Sequence, residues 1–270
     1  MKTRTYYYYD EQNDDFANNG IKYDRTPEDY EYLPKNPLYR ILKPLVYCVV
    51  HAICTLLLKF IMRIPIENTY VLHEKRDLRR GYFIYSNHTT SFIDAVSAPV
   101  STYPRPCYTV TSPAAISVKG ITLLVRMLGA LPVPYSLSQY KSFNKTVDKL
   151  YKKGAVIAIF PEAHIWPRYD KIREFPSVSF EYPVRLGAPC YVKTTVYRRK
   201  RNGKTKPVLV YDGPFYPDRS LSHSKAREEL CRKVYETMKA RAEEYSSPDK
   251  RYKYVKVDSP DEVRTEFETE

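Results

Sequence analysis

Strand-like and helix-like segments alternate along the middle of this sequence, and this alternation constrains the fold more than any other feature. Residues 155–160 are all apolar and follow Gly154, which is typical of a strand buried on both faces of a sheet. Residues 82–85 have the same character. Buried strands separated by helical segments are typical of an α/β domain. We therefore predict an α/β fold, with a mainly parallel mixed sheet flanked by helices.

Further segments extend this α/β pattern toward both ends of the domain. More strands are predicted at residues 107–110, 131–133, 191–197 and 208–211. Helices are predicted at residues 92–101, 121–128, from Ser136 or Ser138 to Lys153, and 222–245. The last two strands are joined across Asn202-Gly203, which is a strong signal for a hairpin turn. Gly129 suits a left-handed cap at the end of the second helix.

Charge is unevenly distributed along the chain. The net charge is +13, yet residues 1–37 hold more acidic than basic side chains and many tyrosines. We predict an acidic, tyrosine-rich N-terminal arm at residues 1–37, a membrane-associating helical segment at 38–66, an α/β domain at 67–248 and a charged tail at 249–270. Composition leaves open whether the arm is disordered or folds back on the basic body.

The apolar run at residues 44–58 has the character of a membrane-associating helix. It lies between Lys43 and Lys59, and it is shorter than the roughly 20 residues that a simple membrane-spanning helix requires. Two interpretations stay open, a helix buried in the core and an interfacial or re-entrant helix. Arg40 and Arg63 favour the membrane, since basic side chains reach lipid headgroups. No secretory signal is predicted, and we expect a peripheral or re-entrant position at the cytoplasmic face of the cell membrane.

The placement of glycine, histidine and cysteine excludes several common functions. The eight glycines form no dinucleotide-binding motif, no Gly-x-Ser-x-Gly motif and no phosphate-binding loop. The histidines lack a histidine partner four positions away and the five cysteines lack ligand spacing, so neither a metal nor a bound cofactor is expected. The scattered cysteines also argue against a disulfide framework and favour a reducing compartment.

A histidine and a carboxylate follow the strand predicted at residues 82–85. His88 stands just after this strand, and Asp94 follows in the same segment. Ligands bind at the carboxyl ends of the strands in α/β sheets. A carboxylate that accepts the Nδ1 proton of a histidine leaves Nε2 free to take a proton from an attacking hydroxyl. His88 and Asp94 are therefore candidates for a general base and its orienting acid.

A second group of residues follows the strand predicted at residues 155–160. This strand leads into Phe160, Pro161, Glu162 and Ala163, again at a carboxyl end. Carboxyl ends of parallel strands lie at one edge of a sheet, so the two groups can share one crevice.

These residues resemble the glycerolipid acyltransferase family, which makes phosphatidic acid from lysophosphatidic acid. The family has an Asn-His-x4-Asp block, a Gly-x-x-x-Val-x-Arg block, a Phe-Pro-Glu-Gly block and a final apolar-Pro block. The similar segments here are Asn87-His88 to Asp94, Gly129 to Tyr135, Phe160 to Ala163, and Ala188-Pro189-Cys190. The order and approximate spacing match over residues 40–215. The segment from Pro161 to Pro167 resembles a bacterial branch of the family.

Three positions depart from the family pattern. Five residues rather than four separate His88 from Asp94, which a one-residue bulge could absorb. Ala163 replaces the usual glycine, which matters little unless this position is left-handed. Tyr135 stands where the family has an arginine that holds the phosphate of the acceptor. Cations close to the Glu162 block are therefore candidate phosphate ligands, namely Arg168, Lys171 and Arg173.

The resemblance implies a membrane-associated O-acyltransferase that uses an acyl thioester, either acyl-coenzyme A or acyl-carrier protein, as a donor substrate. His88 deprotonates the hydroxyl of a lysophospholipid acceptor, most simply lysophosphatidic acid, and Asp94 fixes the tautomer of His88. Asn87, Phe160, Pro161, Glu162 and Ala163 are expected to line the substrate site, with Glu162 positioning the acceptor. Membrane phospholipid is the expected partner, and the oligomeric state is unknown.

Two other functions stay open at this point. A basic, tyrosine-rich protein suits a module that binds lipid or nucleic acid without catalysis. No recognised nucleic-acid-binding motif is present, so no nucleic-acid partner is expected. An acyltransferase that acts on a neutral lysolipid or glycolipid is the second alternative, because the arginine at position 135 is missing.

Overall fold

The computed structural model describes residues 2–16, 25–73, 80–117 and 120–269. Its strands are β1 (Lys2–Tyr8), β2 (Ile66–Glu67), β3 (Tyr82–Ser86), β4 (Cys107–Thr111), β5 (Ala130–Pro132), β6 (Val156–Ile159), β7 (Cys190–Arg199), β8 (Thr205–Phe215), β9 (Tyr252–Lys256) and β10 (Arg264–Thr269). Its α-helices are α1 (Pro37–Thr55), α2 (Ser91–Thr102), α3 (Thr122–Met127), α4 (Leu137–Lys152), α5 (Glu181–Leu186) and α6 (His223–Tyr245). The elements predicted between residues 82 and 245 are all present, with shifted ends.

Seven strands form the main sheet in the order β2-β8-β7-β3-β6-β4-β5. Neighbouring strands are parallel except in the β7–β8 hairpin, which turns at the predicted Asn202-Gly203. β3 lies in the middle, where Phe83 pairs with Ile157 of β6 and Ile84 with Tyr191 of β7. The prediction of a mainly parallel mixed sheet is therefore confirmed. The carboxyl ends of β3 and β6 lie side by side.

Both faces of the central strands are buried, which explains why these strands are apolar throughout. On one face, Phe83 and Ile157 join a core to which α4 and α6 contribute. On the other face, Ile84 and Val156 join a second core that includes Ala98 of α2. Helices α2, α4 and α6 therefore cover the sheet with their apolar sides. The packed sheet holds the ends of β3 and β6 in fixed positions.

Gly129 ends α3 in the left-handed conformation predicted for it, with φ of +97°. A Cβ atom at this position would lie 2.6 Å from the carbonyl oxygen of Cys107 on β4. Only glycine permits both the backbone conformation and this close approach.

α1 is longer than the apolar run suggested, and it has two different faces. Asn36 caps its start, and a π-helical turn extends it to Ile61. Lys43 lies within the helix, and its Nζ turns inward and donates to the hydroxyl of Tyr108 at 2.7 Å. Buried residues on one face, among them Leu58, pack into the domain. The other face carries an exposed apolar stripe, formed by Leu38, Ile41, Leu45, Val49, Ile53, Leu56 and Phe60.

Within the described residues, this helix of 25 residues is the one that is long and apolar enough to cross a membrane. A helix in the core of a soluble protein meets the same length criterion. The exposure of the stripe is therefore the more informative property, since only 17% of the most apolar window is buried. One face of α1 packs into the domain, and membrane contact through its exposed apolar face stays a prediction.

The two ends of the chain meet in a small separate sheet. β1 lies between β10, with which it is antiparallel, and β9, with which it is parallel. Residues 2–16 of the acidic arm therefore fold back on the body, which composition left open. Residues 17–24 of the arm lie outside the described residues. The charged tail supplies both of the partner strands.

Candidate active site

His88 and Asp94 meet beyond the carboxyl end of β3. Nδ1 of His88 lies 3.0 Å from Oδ2 of Asp94. The segment that links β3 to α2 is not helical, and Thr90, directly before α2, has an extended backbone with φ of −149°. Asp94 lies in the first turn of α2 and faces back toward this segment. The extra residue is therefore absorbed before the helix begins, and no bulge within the helix is needed.

Asp94 is almost fully buried, and several donors hold its carboxylate. Oδ2 also accepts hydrogen bonds from the backbone N–H groups of Thr89 at 2.9 Å and Thr90 at 2.8 Å. Oδ1 lies 3.4 Å from Nζ of Lys193. Burial by itself raises the pKa of Asp94, but the charge of Lys193 and the hydrogen bond from His88 outweigh it, so the pKa is lowered. Asp94 is thus a carboxylate at neutral pH, and Nδ1 of His88 carries the shared proton.

Lys193 is a buried cation that the sequence analysis did not assign to the site. It lies on β7 beside Ser86, has no exposed surface, and donates from Nζ to Oγ of Ser97 at 2.7 Å. Burial lowers the pKa of Lys193, and the charge of Asp94 opposes this change. The available sequence signal is one lysine within a buried strand, because a buried charge is costly unless it is paired.

Asn87 and Phe160 hold the His88 segment and the His88 ring. The buried side chain of Asn87 donates to the carbonyl of Thr195 at 3.0 Å and accepts from its N–H at 2.8 Å, which ties this segment to β7. Phe160 stacks on the imidazole of His88, with ring centroids 4.3 Å apart. Asn87 and Phe160 therefore fix the position of His88. Their predicted contacts with substrate stay predictions.

Glu162 contacts the backbone of the segment that carries His88, and it follows the buried Pro161. Its Oε2 accepts a hydrogen bond from the backbone N–H of His88 at 3.0 Å and lies 3.2 Å from Nη2 of Arg173. Its Oε1 accepts from the N–H of Arg173 at 3.1 Å. Glu162 thus joins the end of β6 to the segment that carries His88. The acceptor-positioning role predicted for Glu162 stays a prediction.

The loop that follows Glu162 packs against both the His88 segment and the N-terminal arm. The N–H of Trp166 donates to the carbonyl of His88 at 3.1 Å, and its indole N–H donates to the carbonyl of Asp14 at 2.8 Å. The Trp166 side chain is fully buried, and Tyr254 of β9 stacks on it at 5.1 Å. The small terminal sheet therefore supports the loop that holds His88, a contact that composition did not predict.

The three predicted phosphate ligands have different surroundings. Arg173 is buried, with its guanidinium bonded to Glu162 and to the carbonyls of Glu11 and His164. Nη2 of Arg168 donates to Oγ1 of Thr205 at 2.7 Å. Lys171 is exposed. Whether any of them binds phosphate stays a prediction, and internal contacts already occupy the guanidinium of Arg173.

Tyr135, at the position of the missing arginine, is exposed beyond β5. Arg25 of the arm lies over its ring, 4.0 Å from the centroid. A cation is therefore present near this position, although it comes from another part of the chain.

Ala163 adopts the left-handed conformation, with φ of +61°. The replacement of glycine at this position is therefore not neutral, since a side chain in this region costs about 1–2 kcal/mol. We expect Ala163→Gly to raise the free energy of unfolding by about 0.5–1 kcal/mol, because greater freedom of the unfolded glycine offsets part of the relief. Urea denaturation measures this change.

Ala240→Gly is the matched control, because Ala240 is exposed and lies inside α6. This control should destabilise the protein by about 1 kcal/mol. A loss of stability in Ala163→Gly similar to that in the control would contradict strain at position 163.

The arrangement supplies a base whose reactive nitrogen is available. His88 is half-buried, and its Nε2 has no hydrogen-bond partner among the described residues. Asp94 holds Nδ1, Phe160 holds one ring face and Glu162 holds the backbone. Such a histidine takes a proton from a hydroxyl without rotating away, and returns it to a leaving group.

The chain is similar to known acyltransferases in sequence and in fold. Residues 67–197 match the family model described as Acyltransferase. Among solved structures, the chain is similar to the 1-acyl-sn-glycerophosphate (LPA) acyltransferase PlsC from Thermotoga maritima, with a TM-score of 0.51 and 15% identity. That similarity covers 80% of this chain and 87% of PlsC, and it establishes the fold. No curated protein matches the chain.

Proposed function

Residues 67–197 of this chain belong to the acyltransferase family, and on this premise we propose that the protein is a membrane-associated O-acyltransferase for lysophospholipids. The resemblance to glycerolipid acyltransferases carried by the four sequence blocks is confirmed. The observation that carries the proposal is the His88–Asp94 pair, in which Nε2 of His88 has no hydrogen-bond partner among the described residues. The proposed acceptor is lysophosphatidic acid, and the proposed donor is an acyl thioester.

The proposed reaction is a direct transfer between the two substrates. Nε2 of His88 takes the proton of the acceptor hydroxyl as its oxygen attacks the thioester carbonyl. Asp94 stabilises the imidazolium that forms, and backbone N–H groups stabilise the developing oxyanion. The carbon–sulfur bond then breaks, and the thiolate takes the proton back from His88. An ester and a free thiol result, so no covalent intermediate on the protein is required.

The neighbours of His88 act as positioning residues in this scheme. Lys193 keeps Asp94 ionised, while Glu162 and Asn87 keep the backbone of His88 in place. General-base catalysis supplies about 10²–10⁴-fold, so alignment of the two substrates must supply much of the remainder.

The experiment that tests this function is a substrate panel. Purified protein is incubated with acyl-coenzyme A or acyl-carrier protein and with lysophosphatidic acid, other lysophospholipids or monoacylglycerol, and products are identified by mass spectrometry. We expect a diacyl product, with the highest kcat/KM for lysophosphatidic acid. A higher kcat/KM for monoacylglycerol would contradict lysophosphatidic acid as the acceptor and indicate a neutral acceptor instead.

Absence of product from every pair would contradict the enzyme and favour a binding module. In that case, binding to nucleic acid with a steep dependence on salt would identify the module as a nucleic-acid binder.

We also propose that the exposed stripe of α1 lies on the membrane. The stripe is continuous along the helix, and α3 beside it exposes Leu123 and Leu124, with Ile121 exposed directly before α3. An exposed apolar surface of this extent on a basic protein suits an anionic bilayer. We expect peripheral association through one face of α1, since its other face packs into the domain.

We expect Leu45→Gln, Val49→Gln and Ile53→Gln together to lower the affinity for vesicles at least tenfold. Each of these residues lies on the exposed face of α1, so the substitutions remove apolar area without disturbing the core. Sedimentation with vesicles of phosphatidylglycerol and phosphatidylcholine measures the affinity.

The control for this prediction is a triple variant elsewhere on the surface, with Val178→Gln, Leu221→Gln and Val255→Gln. These side chains are also exposed but lie outside α1 and α3. Equal sedimentation of the α1 variant and this control would contradict membrane contact through α1.

A further inference from the structure

A cationic cavity of about 410 Å³ lies between the end of α1, the start of α2 and the tip of the β7–β8 hairpin. Three lysines of the hairpin, Lys200, Lys204 and Lys206, line one side. Arg168, Arg251 and Thr205 also line the cavity. Apolar lining comes from Met62, Ile64 and Ile93. The cavity thus combines five cations with an apolar wall.

Within the described part of the chain, carboxylates pair with only some of the cations of this cavity. Asp249 binds both arginines, with Nη2 of Arg251 at 2.6 Å and Nη2 of Arg168 at 3.3 Å from its Oδ2. Among the described residues, no carboxylate lies within 4.0 Å of the three lysine ammonium groups. Among the described residues, one carboxylate therefore pairs with two of the five cations.

Lys206 illustrates how closely these cations are placed. Its ammonium donates to the carbonyl of Arg63. Burial and the like charges of Lys200 and Arg63 lower the pKa of Lys206. Such crowding of like charges is unfavourable in the empty cavity and is relieved when an anion binds.

The cavity lies at the same edge of the sheet as His88. β7 pairs with β3 as far as Lys193 and then continues to Arg199, about 20 Å beyond at 3.3 Å per residue. The tip of the hairpin therefore projects past the carboxyl end of β3. Ile93 in the cavity wall directly precedes Asp94.

The loop after β6 makes a second connection between the cavity and the segment that carries His88. The N–H of Arg168 donates to the carbonyl of Thr89 at 3.0 Å, so the residue that carries the cavity's guanidinium is attached next to His88. Met62 and Ile64 follow the helix that carries the exposed stripe. A lipid bound here would have its charged end close to the bilayer surface.

From this placement we propose that the cavity binds the phosphate group of a substrate, with the three lysines and Arg168 as its cationic donors. This inference rests on the proposed function and adds to it a phosphate site away from position 135. Lysophosphatidic acid and coenzyme A both carry phosphate monoesters, and the apolar wall favours the lipid.

The test uses the full chain carrying His88→Ala, so that binding is measured without turnover. Lys200→Gln, Lys204→Gln and Lys206→Gln are introduced together, since the three side chains lie at the surface of the hairpin and are not part of the core. The matched control is Lys141→Gln, Lys145→Gln and Lys149→Gln on α4, which removes the same charge elsewhere. Calorimetry gives the Kd for short-chain lysophosphatidic acid, coenzyme A and inorganic phosphate in both variants.

We expect the hairpin variant to bind lysophosphatidic acid at least tenfold more weakly than the control, because charge-assisted hydrogen bonds to phosphate are lost. A tenfold loss for coenzyme A alone would support the phosphate site and assign it to the donor. Equal Kd values in the hairpin variant and the α4 control for all three ligands would overturn the proposal.

Kinetics on the active enzyme separate this inference from the proposed function. With His88 restored, the hairpin variant should show a raised KM for lysophosphatidic acid and a kcat close to that of the control. If the protein binds phosphate ligands in this cavity but makes no ester, the phosphate site is supported and the proposed enzyme function is contradicted. If the hairpin variant has full activity and an unchanged KM, the phosphate site is contradicted and the proposed function is supported.

Discussion

We expect His88→Ala to lose at least about 10³-fold in kcat for acyl transfer and to keep its fold. The expected effect is large because the substitution removes the proposed proton acceptor, whereas Asp94, Glu162 and the backbone around them stay in place. His88 is half-buried and contributes little core volume, so the melting temperature should change little. Release of free thiol in the presence of acceptor gives the rate, and circular dichroism gives the fold.

His223→Ala is the matched control, since His223 is exposed at the start of α6. It should keep the wild-type rate. A wild-type rate of acceptor-dependent thiol release in His88→Ala would contradict the proposed mechanism.

We expect Lys193→Met to lower both stability and activity and to change the pH dependence of kcat/KM. Asp94 keeps its hydrogen bonds from His88, Thr89 and Thr90 but loses the only cation that faces it among the described residues. Removing one partner of a buried ion pair costs about 3–5 kcal/mol. We expect a loss of about 3 kcal/mol at pH 7 in urea denaturation, the lower end of that range because the three hydrogen bonds persist.

The pH dependence follows from the direction of the Asp94 pKa shift. In the wild type this pKa is lowered, so the stabilisation from ionised Asp94 is present above the usual carboxyl pKa and is lost as the pH falls through the folded value. Without Lys193, burial dominates and the pKa of Asp94 rises. The acid limb of the kcat/KM profile should therefore move to higher pH.

The double variant Lys193→Met with Asp94→Asn separates charge from packing. It removes both charges, so most of the lost stability should return while activity stays low. A double variant as unstable as Lys193→Met alone, together with an unmoved acid limb, would contradict the charge pairing described for Lys193.

The strand and helix pattern was predictable because the central strands and their covering helices carry their own signals. Ile157 and Ile84 point to opposite faces of the sheet, and both faces are buried. Strands of this kind are apolar throughout, so continuous apolar runs identified β6 and β3. The small terminal sheet was not predictable. β1 pairs with strands from the other end of the chain, so nothing near it in the sequence identifies its partners, and the acidic composition of the arm that follows it is also typical of a disordered segment.

In the candidate site too, contacts within one segment were predictable from the sequence and contacts between distant segments were not. His88 and Asp94 lie on one segment, and their pairing followed from residue chemistry and the position after a strand. Lys193 reaches Asp94 from another strand, and Trp166 reaches Asp14 across most of the chain. Contacts of this kind depend on strand order and chain folding, which spacing along the sequence does not encode. The left-handed φ of Ala163 is likewise a property of the folded loop.

The most direct test of acyl transfer measures both products of one reaction. Wild-type protein is given acyl-coenzyme A with a deuterated acyl chain and lysophosphatidic acid, and free thiol and labelled ester are quantified together. Direct transfer from thioester to hydroxyl predicts one labelled phosphatidic acid for each thiol released, with neither product formed in His88→Ala. Thiol release without labelled ester, or no consumption of thioester with any acceptor, would contradict the account.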